Sequence, residues 1–182
     1  MKLQEIALKL IDHYGFGVGI DTPKHSGTLR SGFIVAHSLV QSVVIIKLTI
    51  TCADDALGKI IEPYAPSSSE RFLALEELHK AGIYAGILMM PILPFINDTP
   101  ENIIGIVALA TKHHARFIYP AFGMTPRIIR GLLFYQLDHY FLENAGCMEQ
   151  RYHNVYSCDS RMPQSCISCF RQSVRNTVSA TA

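Results

Sequence analysis

The sequence has almost no net charge, no long apolar run and no recognisable leader. Its 182 residues include 16 basic and 15 acidic side chains, so no global field favours nucleic acid, a membrane surface or an acidic substrate. The apolar run over 83–96 is shorter than the roughly 20 residues of a spanning helix and contains prolines. The N-terminal residues lack the apolar core and cleavage site of a secretory signal, which favours a cytoplasmic location.

Three kinds of sequence motif are also missing. The five cysteines are odd in number and unevenly placed, so they do not form the disulfide framework of a small secreted protein, and reduced thiols are expected. No Gly-rich phosphate loop is present, which disfavours a phosphate-binding barrel enzyme of acid/base type. No Cys-x-x-x-Cys-x-x-Cys occurs anywhere in the chain.

The apolar residues are instead arranged as alternating helices and strands. Hydrophobic residues make up 49% of the chain and charged residues 17%, which is enough to build the core of one domain. Apolar spacing predicts strands at 16–20, 43–51, 83–90 and 116–120. Helices are predicted at 2–14, weakly at 32–41, from a Ser67 cap to Gly82, from 100 through 109, and at 126–143.

The first predicted helix has a single apolar stripe that we expect to be buried, formed by Leu3, Ile6, Ala7, Leu10 and Ile11. Helix and strand alternate at roughly 30–40 residues per unit, which predicts parallel strands with helical crossovers. The fold class is therefore α/β, and we expect an incomplete (β/α) barrel of TIM type with about four parallel strands over 1–145. Residues 146–182 are polar and Ser-rich, and we expect this C-terminal extension to be poorly ordered.

Ligands of parallel α/β folds bind at the carboxyl ends of the strands, so the residues there are the first candidates for a site. The strand over 43–51 ends in Thr49 and Thr51, whose hydroxyls can hydrogen-bond a ligand. Glu62 and Arg71 follow, and their side chains can pair across the loop and hold its shape. The same two residues also fit a loop-to-helix salt bridge that has no ligand.

Two further strand ends carry suitable residues. The strand over 83–90 runs into Met90, Pro91 and Ile92, then Leu93-Pro94 and Asn97-Asp98. Prolines hold a strand end in an extended shape that suits a wall for a flat ring. The next strand contains Tyr119 and is followed by Phe122 and Arg127, and core packing is the simpler interpretation of the two aromatic rings. An earlier strand is followed by Thr22-Pro23-Lys24 and Arg30.

Taken in order, these segments resemble the spore-photoproduct-lyase-like group of radical S-adenosylmethionine (SAM) proteins, firmly over 43–125 and loosely over 1–145. The resemblance implies a six-stranded barrel in which a [4Fe–4S] cluster and SAM generate a 5′-deoxyadenosyl radical. It also implies that SAM contacts the strand-end residues Thr49, Thr51, Glu62, Arg71, Met90, Pro91 and Ile92. A nucleic-acid substrate follows by analogy alone.

The cluster cysteines of that group are absent from this sequence, as is the part of the barrel that carries them. The chain is therefore expected to be a fragment of a radical SAM enzyme, inactive as it stands. The alternative is a non-catalytic barrel remnant that acts as a binding or assembly partner, with oligomers formed through an exposed barrel edge. Cys158, Cys166 and Cys169 have spacing that could supply thiolates to a metal, but a single Cys-x-x-Cys pair is a weak signal.

Overall fold

The computed structural model describes residues 2–22, 43–122, 140, 141 and 172. These residues form four helices and four strands that alternate along most of the chain. In order, they are α1 (Lys2–His13), β1 (Val18–Thr22), β2 (Val44–Thr49), α2 (Asp55–Ile61), α3 (Ser68–Lys80), β3 (Tyr84–Ile92), α4 (Pro100–Lys112) and β4 (Ile118–Phe122). The α/β fold class with four parallel strands is confirmed.

The four strands form one parallel sheet in the order β1-β2-β3-β4. Val44 of β2 lies opposite Val18 of β1, and Ile45 lies opposite Tyr84 of β3. Each strand thus pairs with the strand that precedes it in the chain, as consecutive β/α units require. This arrangement is compatible with part of a (β/α) barrel.

Helices cover one face of the sheet, and every second strand residue points its side chain to that face. Ile46 and Leu48 of β2 are fully buried there, while the intervening Lys47 is only half-buried. The core contains side chains from β2, β3, α3 and α4, among them Phe72, Leu75, Leu78, Ile87, Ile103 and Ile106. The opposite face is more open, since Tyr84 and Tyr119 are both exposed.

The helix predicted from the Ser67 cap is confirmed in detail. Ser67 accepts a hydrogen bond from the Glu70 main-chain N–H, and the Glu70 carboxylate accepts one from the Ser67 N–H, so a complete capping box begins α3. The helix ends before Gly82, which has a φ of 73°. Glycine adopts this left-handed conformation without strain.

The helices differ from the predicted ones in two ways. The short helix α2 was not predicted, because seven residues are too few to show a recurrent helical period, and none of them is buried. The stripe predicted on α1 is exposed at three of its positions, with Ile6 at 63%, Leu10 at 57% and Ala7 also exposed, whereas Ile11 is half-buried. The burial of Leu3 lies outside what the structure describes. Leu8 is the residue that packs against the core. Positions two apart are separated by about 200° around a helix, so Ile6 and Leu10 face away from the sheet.

The strand ends differ from the predicted ones by up to two residues, since β1 and β4 each begin two residues later than expected. Several predictions lie outside the described residues: the helix at 32–41, nearly all of the helix at 126–143, and Lys24, Arg30 and Arg127. The C-terminal extension over 146–182 also lies outside them, apart from residue 172. Within the described part of the chain, no helix is both long enough and apolar enough to cross a bilayer.

Gly86, the third residue of β3, provides a test of the sheet packing. A Cβ at this position would lie 2.5 Å from the carbonyl oxygen of Phe117 and 2.7 Å from its ring. We expect Gly86→Ala to lower the free energy of unfolding by about 1–3 kcal/mol, because backbone atoms cannot move aside cheaply. Urea unfolding measures this change. Gly19→Ala is the matched control, since its Cβ meets nothing within 4 Å, and an equal loss in both variants would contradict the packing described here.

Candidate functional site

The carboxyl ends of β2 and β3 lie side by side, and most of the predicted site residues lie there. Thr49 is the last residue of β2 and pairs with Leu88 of β3. Met90 and Pro91 follow on β3 and are half-buried, whereas Ile92 is 1% exposed and belongs to the core. A ligand at this edge therefore meets Met90 and Pro91 first, with Ile92 behind them.

The Arg71 side chain makes three hydrogen bonds beside this edge. It is 3% exposed, and its Nε donates to the Pro66 carbonyl at 3.0 Å. Its two terminal nitrogens donate to the Thr49 carbonyl and to the Glu62 carboxylate. The guanidinium thus joins the end of β2 to the loop that precedes α3, and the predicted pairing of Glu62 with Arg71 is confirmed.

The Glu62 carboxylate keeps part of its surface in solvent. Its side chain is 26% exposed, and one oxygen, Oε2, holds Arg71. Arg71 is buried, and all three of its guanidinium nitrogens donate to acceptors of the protein, so it holds the neighbouring residues in position and is not itself presented to a ligand. Glu62 is the charged group of the pair that a ligand reaches.

Asn97 lies at the turn after β3 and is fully buried. Its Nδ2 donates to the Thr51 carbonyl at 3.2 Å and lies 3.4 Å from the Pro91 carbonyl oxygen. Its Oδ1 accepts a hydrogen bond from the Leu93 N–H. One amide group therefore ties the ends of β2 and β3 together.

Asn102, in the first turn of α4, adds three more hydrogen bonds to this network. Its Nδ2 donates to the Thr51 carbonyl at 2.9 Å and to the Asn97 carbonyl at 2.7 Å. Its Oδ1 accepts from the Ala53 N–H at 2.7 Å. All hydrogen-bonding groups that a buried amide side chain presents are in use, which makes the edge rigid.

Thr51 contributes to the site through its main chain more than through its hydroxyl. The residue is 3% exposed, and its carbonyl accepts from both asparagines. Its Oγ1 lies 3.8 Å from the Cys52 Sγ. The hydroxyl of Thr49, which is half-buried, is the more accessible of the two predicted threonines.

Cys52 is a buried free thiol directly beneath this edge. Burial raises its pKa from 9.0 to about 11, against a lowering contribution from its hydrogen-bonding neighbours Thr51 and Asn97. The thiol is therefore neutral near pH 7 and a poor metal ligand. Among the described residues, no group of three or more His, Cys, Asp or Glu side chains is placed to hold a metal ion. Cys158, Cys166 and Cys169 lie outside them.

Sequence reasoning identified the pair Glu62–Arg71 and the two strand ends but assigned no role to Asn97 or Asn102. Asn97 belongs to the Asn-Asp turn that follows β3, and Asn102 lies three residues after the helix cap Thr99. Polar residues at two helix-start positions have an ordinary explanation as capping groups. Their burial depends on tertiary contacts with residues about 50 positions earlier, and local pattern carries no signal of such contacts.

Comparison with protein-family models, with curated proteins and with solved structures gives no significant match. The candidate site is thus defined by its geometry and by the resemblance of the sequence segments that form it.

The asparagine network yields a stability prediction. Asn102→Ala removes the partners of the Ala53 N–H and the Asn97 carbonyl in a buried place. We expect the free energy of unfolding to fall by about 2–4 kcal/mol, because buried polar groups left without partners are costly. Chemical denaturation measures the loss. The control is Glu101→Ala, an exposed change in the same turn that should cost less than about 1 kcal/mol.

The buried thiol yields a prediction about pH. The folded-state pKa of Cys52 is raised from 9.0 to about 11, so its contribution to stability is complete below pH 9 and is lost as the pH rises toward 11. We expect the free energy of unfolding to fall less steeply over this range in Cys52→Ala than in the wild-type protein. Urea titrations at several pH values test this, and parallel curves for the two proteins would contradict it.

Proposed function

We propose that this chain is part of a (β/α) barrel of the radical SAM kind, and that the carboxyl edge of β2 and β3 binds SAM. The observation that carries the proposal is the meeting of Thr49, Glu62, Met90 and Pro91 at one edge of a parallel sheet. These are residues that the resemblance assigned to the cofactor, and the carboxyl edge is where parallel α/β folds bind ligands. A cytoplasmic, reducing compartment is part of the proposal, since the five cysteines are odd in number and unevenly placed.

The groups at this edge fit the chemistry of SAM. Met90 and Pro91 present a partly exposed apolar surface on which an adenine ring can pack. The Thr49 hydroxyl is a neutral hydrogen-bonding group of the kind that ribose hydroxyls need. Arg71 holds the Glu62 carboxylate in place, and the exposed part of that carboxylate suits a ribose hydroxyl or the positive charge of SAM.

The residues do not fit a [4Fe–4S] cluster. The sequence contains no Cys-x-x-x-Cys-x-x-Cys. Cys52, the single cysteine among the described residues, is buried with a raised pKa, so it does not provide the thiolate that iron requires. The proposal for these residues is therefore cofactor binding, and no radical step is assigned to them.

The rigidity of the edge is consistent with a binding role. Arg71, Asn97 and Asn102 use buried hydrogen bonds to hold the two strand ends at one spacing. A site that is held in its binding geometry before the ligand arrives loses less conformational entropy on binding. In this proposal the three residues position Thr49, Glu62 and Pro91 and do not touch SAM.

The absence of cluster ligands favours a second candidate function, a non-catalytic barrel remnant that serves in binding or assembly. The two candidates differ in one property that can be measured directly. A SAM-binding barrel retains affinity for the cofactor without a cluster, whereas a remnant used for assembly has none.

Isothermal titration of the purified chain with SAM tests the proposal. We expect saturable binding, and we expect Glu62→Gln to weaken it about fivefold to tenfold. The amide retains an acceptor for Arg71 but loses the charge, and a hydrogen bond to a charged group contributes roughly 1–1.5 kcal/mol more than a neutral one.

Glu76→Gln is the matched control, because it removes the same charge from a partly exposed glutamate on α3. Glu76 pairs with Lys80 near the end of that helix, and α3 runs from the carboxyl edge back toward the start of β3, so Glu76 lies at the opposite end of the sheet. The affinity of the Glu76→Gln variant for SAM should equal that of the wild-type chain. No detectable heat or thermal shift at millimolar SAM would overturn the proposal and leave the assembly function.

A further inference from the structure

The two outer strands of the described sheet differ in their ability to accept another strand. In a parallel sheet the main-chain groups of alternate residues point to opposite sides of the strand. In β4, the Phe117 carbonyl accepts from Ile87 of β3, so the groups of Ile118 and Pro120 point to the outer side. Pro120 has no N–H, so the outer row of β4 lacks a donor at its centre, as is usual for a protected edge strand.

The outer row of β1 has no such block. Val18 donates to the Val43 carbonyl and is paired with β2, so the N–H and C=O groups of Gly19 and Asp21 point to the outer side. A Cβ at Gly19 would meet nothing within 4 Å. The Asp21 carboxylate is held by Lys47 of β2 at 2.7 Å, which draws the side chain toward the sheet and leaves its main chain accessible.

The sequence of β1 is also complementary to itself. If two copies pair antiparallel about Ile20, Gly19 of each copy lies opposite Asp21 of the other, and both residues point their main-chain groups across the interface. This register forms four main-chain hydrogen bonds, two for each Gly19–Asp21 pair. Ile20 then lies opposite its own symmetry mate, on the same face as the hydrophobic core that it packs against.

Charge supports the same register. Asp21 lies opposite a glycine and not opposite the second Asp21, so like charges are not paired directly. Each carboxylate also keeps its Lys47 partner on its own sheet. A two-fold contact in which the same residues serve both sides is the commonest arrangement of soluble dimers.

We propose that the outer edge of β1 is a dimerisation surface, and that its partner is β1 of a second copy of this chain, paired antiparallel about Ile20. The dimer joins the four described strands of each copy into one continuous sheet. It leaves the carboxyl edge of β2 and β3 open. This inference does not depend on SAM binding.

Sedimentation velocity over a range of concentrations tests the proposal with two opposite charge changes at one position. In the dimer, the glutamate of the Gly19→Glu variant lies opposite Asp21 of the other copy and repels it. The lysine of the Gly19→Lys variant lies opposite the same carboxylate and attracts it. Two like-charge pairs at about 0.7 kcal/mol each predict roughly tenfold weaker dimerisation for Gly19→Glu. Gly19→Lys should dimerise at least as tightly as the wild-type chain.

Cysteine cross-linking tests the register. Residues opposite each other without hydrogen bonds lie about 4.5 Å apart between Cα atoms, which suits a disulfide. Ile20→Cys should therefore give a disulfide-linked dimer on mild oxidation, above the background of the wild-type chain. Gly19→Cys should not, because position 19 of one copy lies diagonal to position 19 of the other.

Three outcomes would overturn the proposal. The first is a wild-type chain that is monomeric at all concentrations, as expected if another polypeptide or segment occupies the β1 edge. The second is an equal effect of Gly19→Glu and Gly19→Lys on dimerisation, with thermal melts showing both variants folded. The third is equal cross-linking of Gly19→Cys and Ile20→Cys.

Discussion

The carbonyl of Thr51 is the point from which the geometry of the sheet edge follows. A buried carbonyl beyond the end of a strand has no ladder partner and must find donors elsewhere. Here Asn97 and Asn102 both supply one. Because Asn97 also contacts the turn after β3 and Asn102 belongs to α4, satisfying this one oxygen fixes the relative positions of two strands and a helix.

Much of the fold was predictable because its signals are local. The β-branched run that becomes β2, the Ser67–Glu70 capping box and the Gly82 helix end depend on residues close together in the chain. The stripe of α1 shows the limit of this reasoning. Apolar spacing predicts that one helix face differs from the other, but which face contacts the sheet depends on the tertiary position of Leu8.

The part of the candidate site that could be predicted is the pair of oppositely charged residues, because buried or half-buried charges are usually paired. A glutamate in a loop and an arginine nine residues later, in the first turn of the next helix, suggest a pair, and the pair exists. Asparagine occurs in many structural roles, so the sequence did not predict the joint role of Asn97 and Asn102. That role is visible only in their contacts with Thr51 and Ala53. The same contacts separate groups that support the site from groups a ligand can reach, a distinction that the sequence pattern does not make.

The order of strands in the sheet is also the order in which the ribosome makes them. Each new strand pairs with the strand synthesised just before it, so its partner is already outside the exit tunnel when it emerges. The nascent chain can therefore assemble one β/α unit at a time, with short loops to close and few distant partners to wait for.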